Sequence, residues 1–317
     1  MGQGPTLRAF LLASVVPCPT IMSGKITNIS FPGQAKYANI AVKYHSVSRV
    51  HRVLISLFAI LSYLTAGVLI SLRLFRNQDS ASPPRALALA IGFVGVLLHA
   101  IPLYQNMASD VGINMGVFNA FSLITWTITL LLLISSLSKP VENLGIALLP
   151  IAAIAIFLDS RYQTVHFLTD QFPSELTIHI LVSMLAYSLF ALASVQAILL
   201  AIQDHHLRQR HPGGFIRALP PLQTMESLLF EMIAVGFVLL SLALLSGFAF
   251  LENMFEQRLA HKTILSIIAW FVFGTLLWGR YRFGWRGQKA LIWTLSGFVV
   301  LMLAYFGSKI VIELILG

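Results

Sequence analysis

His179, Ser183 and Tyr187 are the residues whose types and spacing could do chemistry together. They sit in ELTIHILVSMLAYSLFALASVQAILLAI, from Glu175 to Ile202, an apolar stretch long enough to cross a bilayer. At about 100° per helical residue, His179, Ser183, Tyr187, Phe190 and Ser194 share one face, and Leu181, Leu185 and Leu192 fall largely elsewhere. A membrane helix must turn such a stripe away from lipid. Two readings stand side by side. Small and polar residues help helices pack, and intramembrane ionisable groups mark functional sites. Ser183, at i+4 from His179, is compatible with a hydrogen bond to it, but no third partner completes a nucleophilic triad. Covalent catalysis therefore has no visible constellation.

The elements that must position this stripe are transmembrane helices. Of the chain, 57% is hydrophobic and 10% charged, whereas soluble domains carry about a quarter charged residues. This excludes the water-soluble class and predicts an all-α polytopic membrane protein with the lipid bilayer as its first partner. The net charge of +9 belongs to basic cytoplasmic loops and not to nucleic-acid binding. The single cysteine, Cys18, excludes an intramolecular disulfide and a multi-Cys metal site. No C-x-x-C-H, Walker A or H-E-x-x-H motif is present.

Windows of about 20 apolar residues place eight spans at 52–74, 86–105, 114–137, 143–158, 175–202, 227–250, 262–280 and 289–314. The first, third, fifth and seventh connections carry Arg73, Arg76, Arg85, Lys139, Arg208, Arg210, Arg217, Arg280, Arg282, Arg286 and Lys289. The alternate connections hold Arg161, Arg258 and Lys262 beside Asp110, Asp159, Asp170, Glu252 and Glu256. Positive-inside charge then puts both ends of the bundle outside, an N-out/C-out core. Residues 1–49 differ: they are basic, lack a spanning segment and are expected to be a disordered extension before the transmembrane domain of residues 50–317.

This topology sorts the histidines. His99, His166, His179 and His261 fall at or just beneath the outer face, whereas His205, His206 and His211 lie in a cytoplasmic loop with arginines. Glu226 and Glu231 open the sixth span after Pro220-Pro221, where a helix N-terminus favours carboxylates. Apart from Glu313, no acid is expected deep in a span, which argues against a cation transporter. Trp126, Trp270, Trp278 and Trp293 are belt or packing candidates.

Three stretches together resemble the CcsA/ResC-type cytochrome c assembly proteins. PLQTMESLLFEMIAVGFVLLSLALLSGFAF is similar to that family's sixth-span region at Leu222, Glu226, Gly236, Phe237, Ser246 and Gly247. HILVSMLAYSLFALAS resembles the family helix opened by a haem-ligating histidine, with His179, Met184 and Tyr187 in its places. AWFVFGTLLWGRYRFGWRGQKA and GFVVLMLAYFGSKIV resemble the last two spans, and their GWRG and YFGS details look closest to the YpjD branch of bacterial inner-membrane proteins. LLHAIPLYQN and FNAFSLITWTITLLLLI are similar to the second and third spans.

The resemblance implies a multi-pass protein of the bacterial inner (cytoplasmic) membrane that binds or handles haem at the periplasmic face, with periplasmic or membrane assembly partners. It assigns haem iron to His179, the one metal contact expected. His99 or His261 is the candidate second ligand, and Ser183 and Tyr187 stand beside the ring. The outer loop ENMFEQRLAHKT departs from the family's W-W-D segment, since it has no tryptophan, and Trp278 stands where the family has a histidine. The alternative is a non-catalytic accessory membrane protein that keeps the fold and supports a transporter or metal-tolerance system.

Overall fold

The computed structural model describes residues 34–75, 83–109, 112–114, 116–162, 167–168, 174–209, 219–250 and 260–307. Eight helices carry the architecture: α1 Gln34–Phe75, α2 Arg85–Met107, α3 Val117–Ser138, α4 Gly145–Arg161, α5 Ser174–Arg208, α6 Leu222–Phe250, α7 Ala260–Phe283 and α8 Gln288–Met302. All eight contain a segment long and apolar enough to cross a membrane, from His51–Phe75 to Gln288–Tyr305. Helices are the natural outcome, because a chain in hydrocarbon must satisfy its backbone groups internally. The fourth span, expected at 143–158, runs over Glu142–Arg161, a short 3-10 turn at Glu142–Leu144 leading into α4. The last helix passes into a π-helical turn at Leu303–Gly307.

Contacts divide the chain into Met1–Ser48 and Arg49–Gly317. Most of the extension expected over 1–49 lies outside the described residues, which begin at Gln34 in the backbone of α1.

Two apolar cores form within Arg49–Gly317. Tyr63, Ala66, Val96, Leu133, Leu149 and Ile156 pack α1 to α4 together. Phe190, Leu229, Ile233, Phe273, Leu276 and Leu301 pack α5 to α8. A seam of Ile124, Ile128, Leu132, Met184, Ala191 and Leu192 joins α3 to α5. Thus α5 meets α3, α6 and α8, and it is the hub of the bundle. Large apolar side chains on the outer faces, among them Leu61, Val68, Leu97, Phe157, Leu181, Leu245 and Phe271, stay exposed as a lipid-facing surface should.

The two ends of the bundle differ chemically. One end gathers ion pairs between Arg85 and Glu142, Lys139 and Glu231, and Arg280 and Glu226. Both carboxylates expected at the start of the sixth span are therefore partnered. Arg280 also donates to Trp285 O at 3.2 Å and lies 4.6 Å over the Phe230 ring. The α7–α8 turn there needs Gly284 and Gly287, whose φ values are +65° and +60°. The opposite end carries a three-stranded antiparallel sheet not foreseen in the sequence: β1 Ala108–Ser109, β2 Gly112–Asn114 and β3 Phe167–Leu168, in the order β1-β2-β3. Ile113 pairs with both Ala108 and Leu168, so the α2–α3 and α4–α5 connections are tied together.

Candidate functional site

His179 stands in the second turn of α5, half-buried, at the sheet-bearing end. Its Nδ1 is 2.9 Å from Ser246 Oγ on α6. Ser246 Oγ in turn donates to Ala243 O at 2.9 Å. A hydroxyl has one proton. That proton can go to Ala243 O or to the imidazole, and which group donates across the 2.9 Å contact follows the tautomer of the ring. In the tautomer with the hydrogen on Nδ1, Nδ1 donates to Ser246 and the Nε2 lone pair is the ligating position. Orientation of a ligating imidazole through its other nitrogen is the usual supporting arrangement at metal sites.

The rest of the stripe follows α5 inward and meets several neighbours. Ser183 is half-buried one turn below His179. The Tyr187 ring lies 5.5 Å from Phe298 and 6.1 Å from Tyr305, centroid to centroid. Phe190 is fully buried and stacked on Phe273 of α7 at 3.8 Å. Gly236 of α6 lets Phe190 in, since a Cβ there would be 3.2 Å from the ring. Ser194 donates to Phe190 O at 2.8 Å and closes on its own helix. Leu181 is 57% exposed, on the lipid side, whereas Leu192 is buried in the seam with α3. The stripe therefore faces the α6–α7–α8 side of the hub.

His99 occupies a different setting. It is 1% exposed, with Nδ1 3.2 Å from Tyr63 Oη of α1 and Nε2 2.9 Å from Ser122 Oγ of α3. The Tyr63 ring meets the imidazole edge to face at 5.9 Å. Both ring nitrogens are thus committed to hydroxyls, which satisfy either tautomer. His99 and His179 share no hydrogen-bond partner. His261 belongs to the first turn of α7, but its side chain lies outside the described residues, as does all of His166. His206 Nδ1 contacts Ile202 O at 2.9 Å and His205 Nε2 contacts Gln209 Nε2 at 3.0 Å, both at the exposed end of α5. Two of the tryptophans donate inside the bundle: Trp126 to Val96 O at 3.0 Å and Trp270 to Ser241 Oγ at 2.8 Å.

One polar group near the sheet end escapes the sequence reading. Asp159, assigned there to a connection, is 4% exposed and lies inside α4. Asn106 donates to its Oδ2 at 2.9 Å and accepts from Arg52 at 3.2 Å, so one amide bridges a cation and a carboxylate from three helices. The signal available in the sequence was Arg52, Asn106 and Asp159 at equivalent depth in three neighbouring spans.

Among the described residues, no group of three His, Cys, Asp or Glu could hold a metal ion. What the site offers is one half-buried imidazole paired with a hydroxyl of the neighbouring helix.

These features define a multi-pass α-helical membrane protein organised round one histidine-bearing helix. The Cytochrome C assembly protein family matches residues 86–316, and the chain belongs to that family. Inner membrane protein YpjD of Escherichia coli K12 is 33% identical over 269 residues, covering 81% of this chain and 98% of that protein. Cytochrome c biogenesis protein CcsA of Prochlorococcus marinus MIT 9303 is 25% identical over 228 residues, covering 62% of this chain and 72% of that protein. No solved structure matches the chain. With its eight candidate spans, the chain is a multi-pass inner-membrane protein.

Proposed function

We propose that this protein binds haem through His179 and handles it at the periplasmic face of the membrane. The observation that carries the reading is the 2.9 Å contact between His179 Nδ1 and Ser246 Oγ; with the ring hydrogen on Nδ1, Nε2 keeps a lone pair for iron. Membership of the cytochrome c assembly family supports it. Haem would be held there by His179 and would supply an iron that accepts imidazole nitrogen. Ser183, one turn along the same face, would hold a propionate or a water, and the rings of Tyr187, Phe298 and Tyr305 would flank the cofactor. The pairing of both His99 nitrogens favours a structural role for that residue and leaves His261 as the candidate second ligand. The basic residues at the other end of the bundle support a cytoplasmic position for that end, and so an N-out/C-out core with His179 toward the periplasm.

The test is the absorbance spectrum of full-length protein purified from haem-replete cells. A Soret band is expected in the wild type, in His205→Ala and in His206→Ala, and its loss in His179→Ala. Ser246→Ala should retain haem at an affinity about 10–100-fold lower, the usual effect of removing an orienting partner. Absence of the band from wild-type protein, or an unchanged band in His179→Ala, overturns the reading. A second reading, an accessory protein that keeps the fold without haem, is favoured by the commitment of His99 and by the lack of tryptophan in ENMFEQRLAHKT. Under it, His179→Ala lowers thermal stability alone.

A further inference from the structure

At the basic end, a cavity of about 500 Å³ opens between the last turn of α1, the first turn of α2, the 3-10 turn before α4 and the start of α6. Ile70, Ala88 and Leu89 give it an apolar floor, and Arg73, Arg85, Glu142, Asn143 and Thr224 are its polar lining. The two arginines are not equivalent. Arg85 is held by Glu142, with Nε 3.2 Å from Oε1, by Lys139 O at 3.2 Å and by the Ser136 carbonyl. Its charge is cancelled by Glu142, and its Nη2 is engaged by the carbonyls at the end of α3 and by that carboxylate. Arg73 is half-buried, and no described carboxylate pairs with it. Among the described residues the lining therefore carries one uncompensated positive charge above a hydrocarbon floor, and the same helix ends bear exposed Leu72, Phe75 and Leu87.

We infer that this cavity binds the headgroup of a singly anionic phospholipid of the phosphatidylglycerol type. One phosphodiester carries one negative charge, which matches Arg73. Asn143 donates to a phosphate or glycerol oxygen, and the acyl chains leave along the exposed apolar side chains. Basic pockets between spans at the cytoplasmic side are established settings for anionic headgroups. A zwitterionic headgroup brings an ammonium for which the lining has no free carboxylate, because Glu142 is engaged by Arg85. The inference is independent of haem binding, since none of these residues lies near His179 along its helix.

The experiment uses full-length protein in maltoside detergent and native mass spectrometry, titrated with dioleoylphosphatidylglycerol, dioleoylphosphatidylcholine or inorganic phosphate. The expected result is one retained phosphatidylglycerol, little phosphatidylcholine and no competition from millimolar phosphate. Arg73→Gln should weaken the retained lipid by about fivefold, the effect of about 1 kcal/mol for one basic residue. Ala88→Leu, which fills the floor without touching charge, should remove it, and Arg282→Gln, at an exposed site outside the cavity, should not. Ala88→Leu also keeps the test decisive if Arg73→Gln fails to fold. Equal retention of the two lipids, or unchanged binding in both cavity variants, overturns the inference. Displacement of the lipid by phosphate alone reassigns the site to a soluble anion and overturns the lipid assignment.

Discussion

The His99 contacts predict a measurable coupling across three helices. Ser122 and His99 are 0% and 1% exposed, so neither can turn to water when the other is removed. Ser122→Ala leaves His99 Nε2 buried without its 2.9 Å partner. An unsatisfied buried polar group costs about 1–3 kcal/mol in soluble proteins, but within membranes measured interhelical hydrogen bonds average about 0.6 kcal/mol and reach about 1.7 kcal/mol. Full burial of both partners argues for the upper part of that membrane range, about 1–1.5 kcal/mol. In a His99→Leu background the same Ser122→Ala change should be nearly neutral, because a freed serine hydroxyl bonds back to the carbonyl one turn earlier. The coupling energy is then about 1 kcal/mol, or roughly fivefold in the unfolding constant. Wild type, the two single variants and the double variant would be compared by reversible SDS-induced unfolding in bicelles. Additivity within about 0.3 kcal/mol, the behaviour of independent sites, would refute the argument that His99 is held by Ser122. So would an Ser122→Ala protein as stable as wild type that gains or loses a haem band.

Three other outcomes are expected. Gly95→Ala should destabilise by about 1–3 kcal/mol in the same titration, since the new Cβ would be 2.6 Å from the Tyr63 ring that reaches His99. Reporter fusions after Arg217 and after Arg286 should both report cytoplasm, and a periplasmic signal from either would reject the proposed orientation. Deletion of residues 1–49 should leave membrane insertion intact, as judged by accumulation in the membrane fraction, because the spanning segment of α1 begins at His51.

The spans were legible because membrane thickness converts directly into a run of apolar residues, and every expected span has its helix. The central role of α5 was also legible, because a polar stripe on an apolar helix can be stable only if it is covered. The partners that cover it were not. Ser246 is 67 residues from His179, and Tyr63 and Ser122 are 36 and 23 residues from His99. Periodicity reports which face of a helix is polar and says nothing of which neighbour will meet it. Asp159 was misplaced for a related reason: beside Arg161 it reads as the edge of a span, and only the amide of Asn106 brings it inside. Strands of two or three residues, such as Phe167–Leu168, are too short to leave an alternation in the sequence.

The long separation between His179 and Ser246 has a temporal side. Cells make chains at about 5–20 residues per second from the N-terminal end, so those 67 residues take about 3–13 s. All residues of the α1–α4 core, from Ala59 to Ile156, precede α5 in the chain, and both hydroxyl partners of His99 lie among them. The imidazole of His179, by contrast, is made seconds ahead of its serine partner. During each round of synthesis that ring passes through an interval without its hydroxyl partner, and the arrival of α6 ends it.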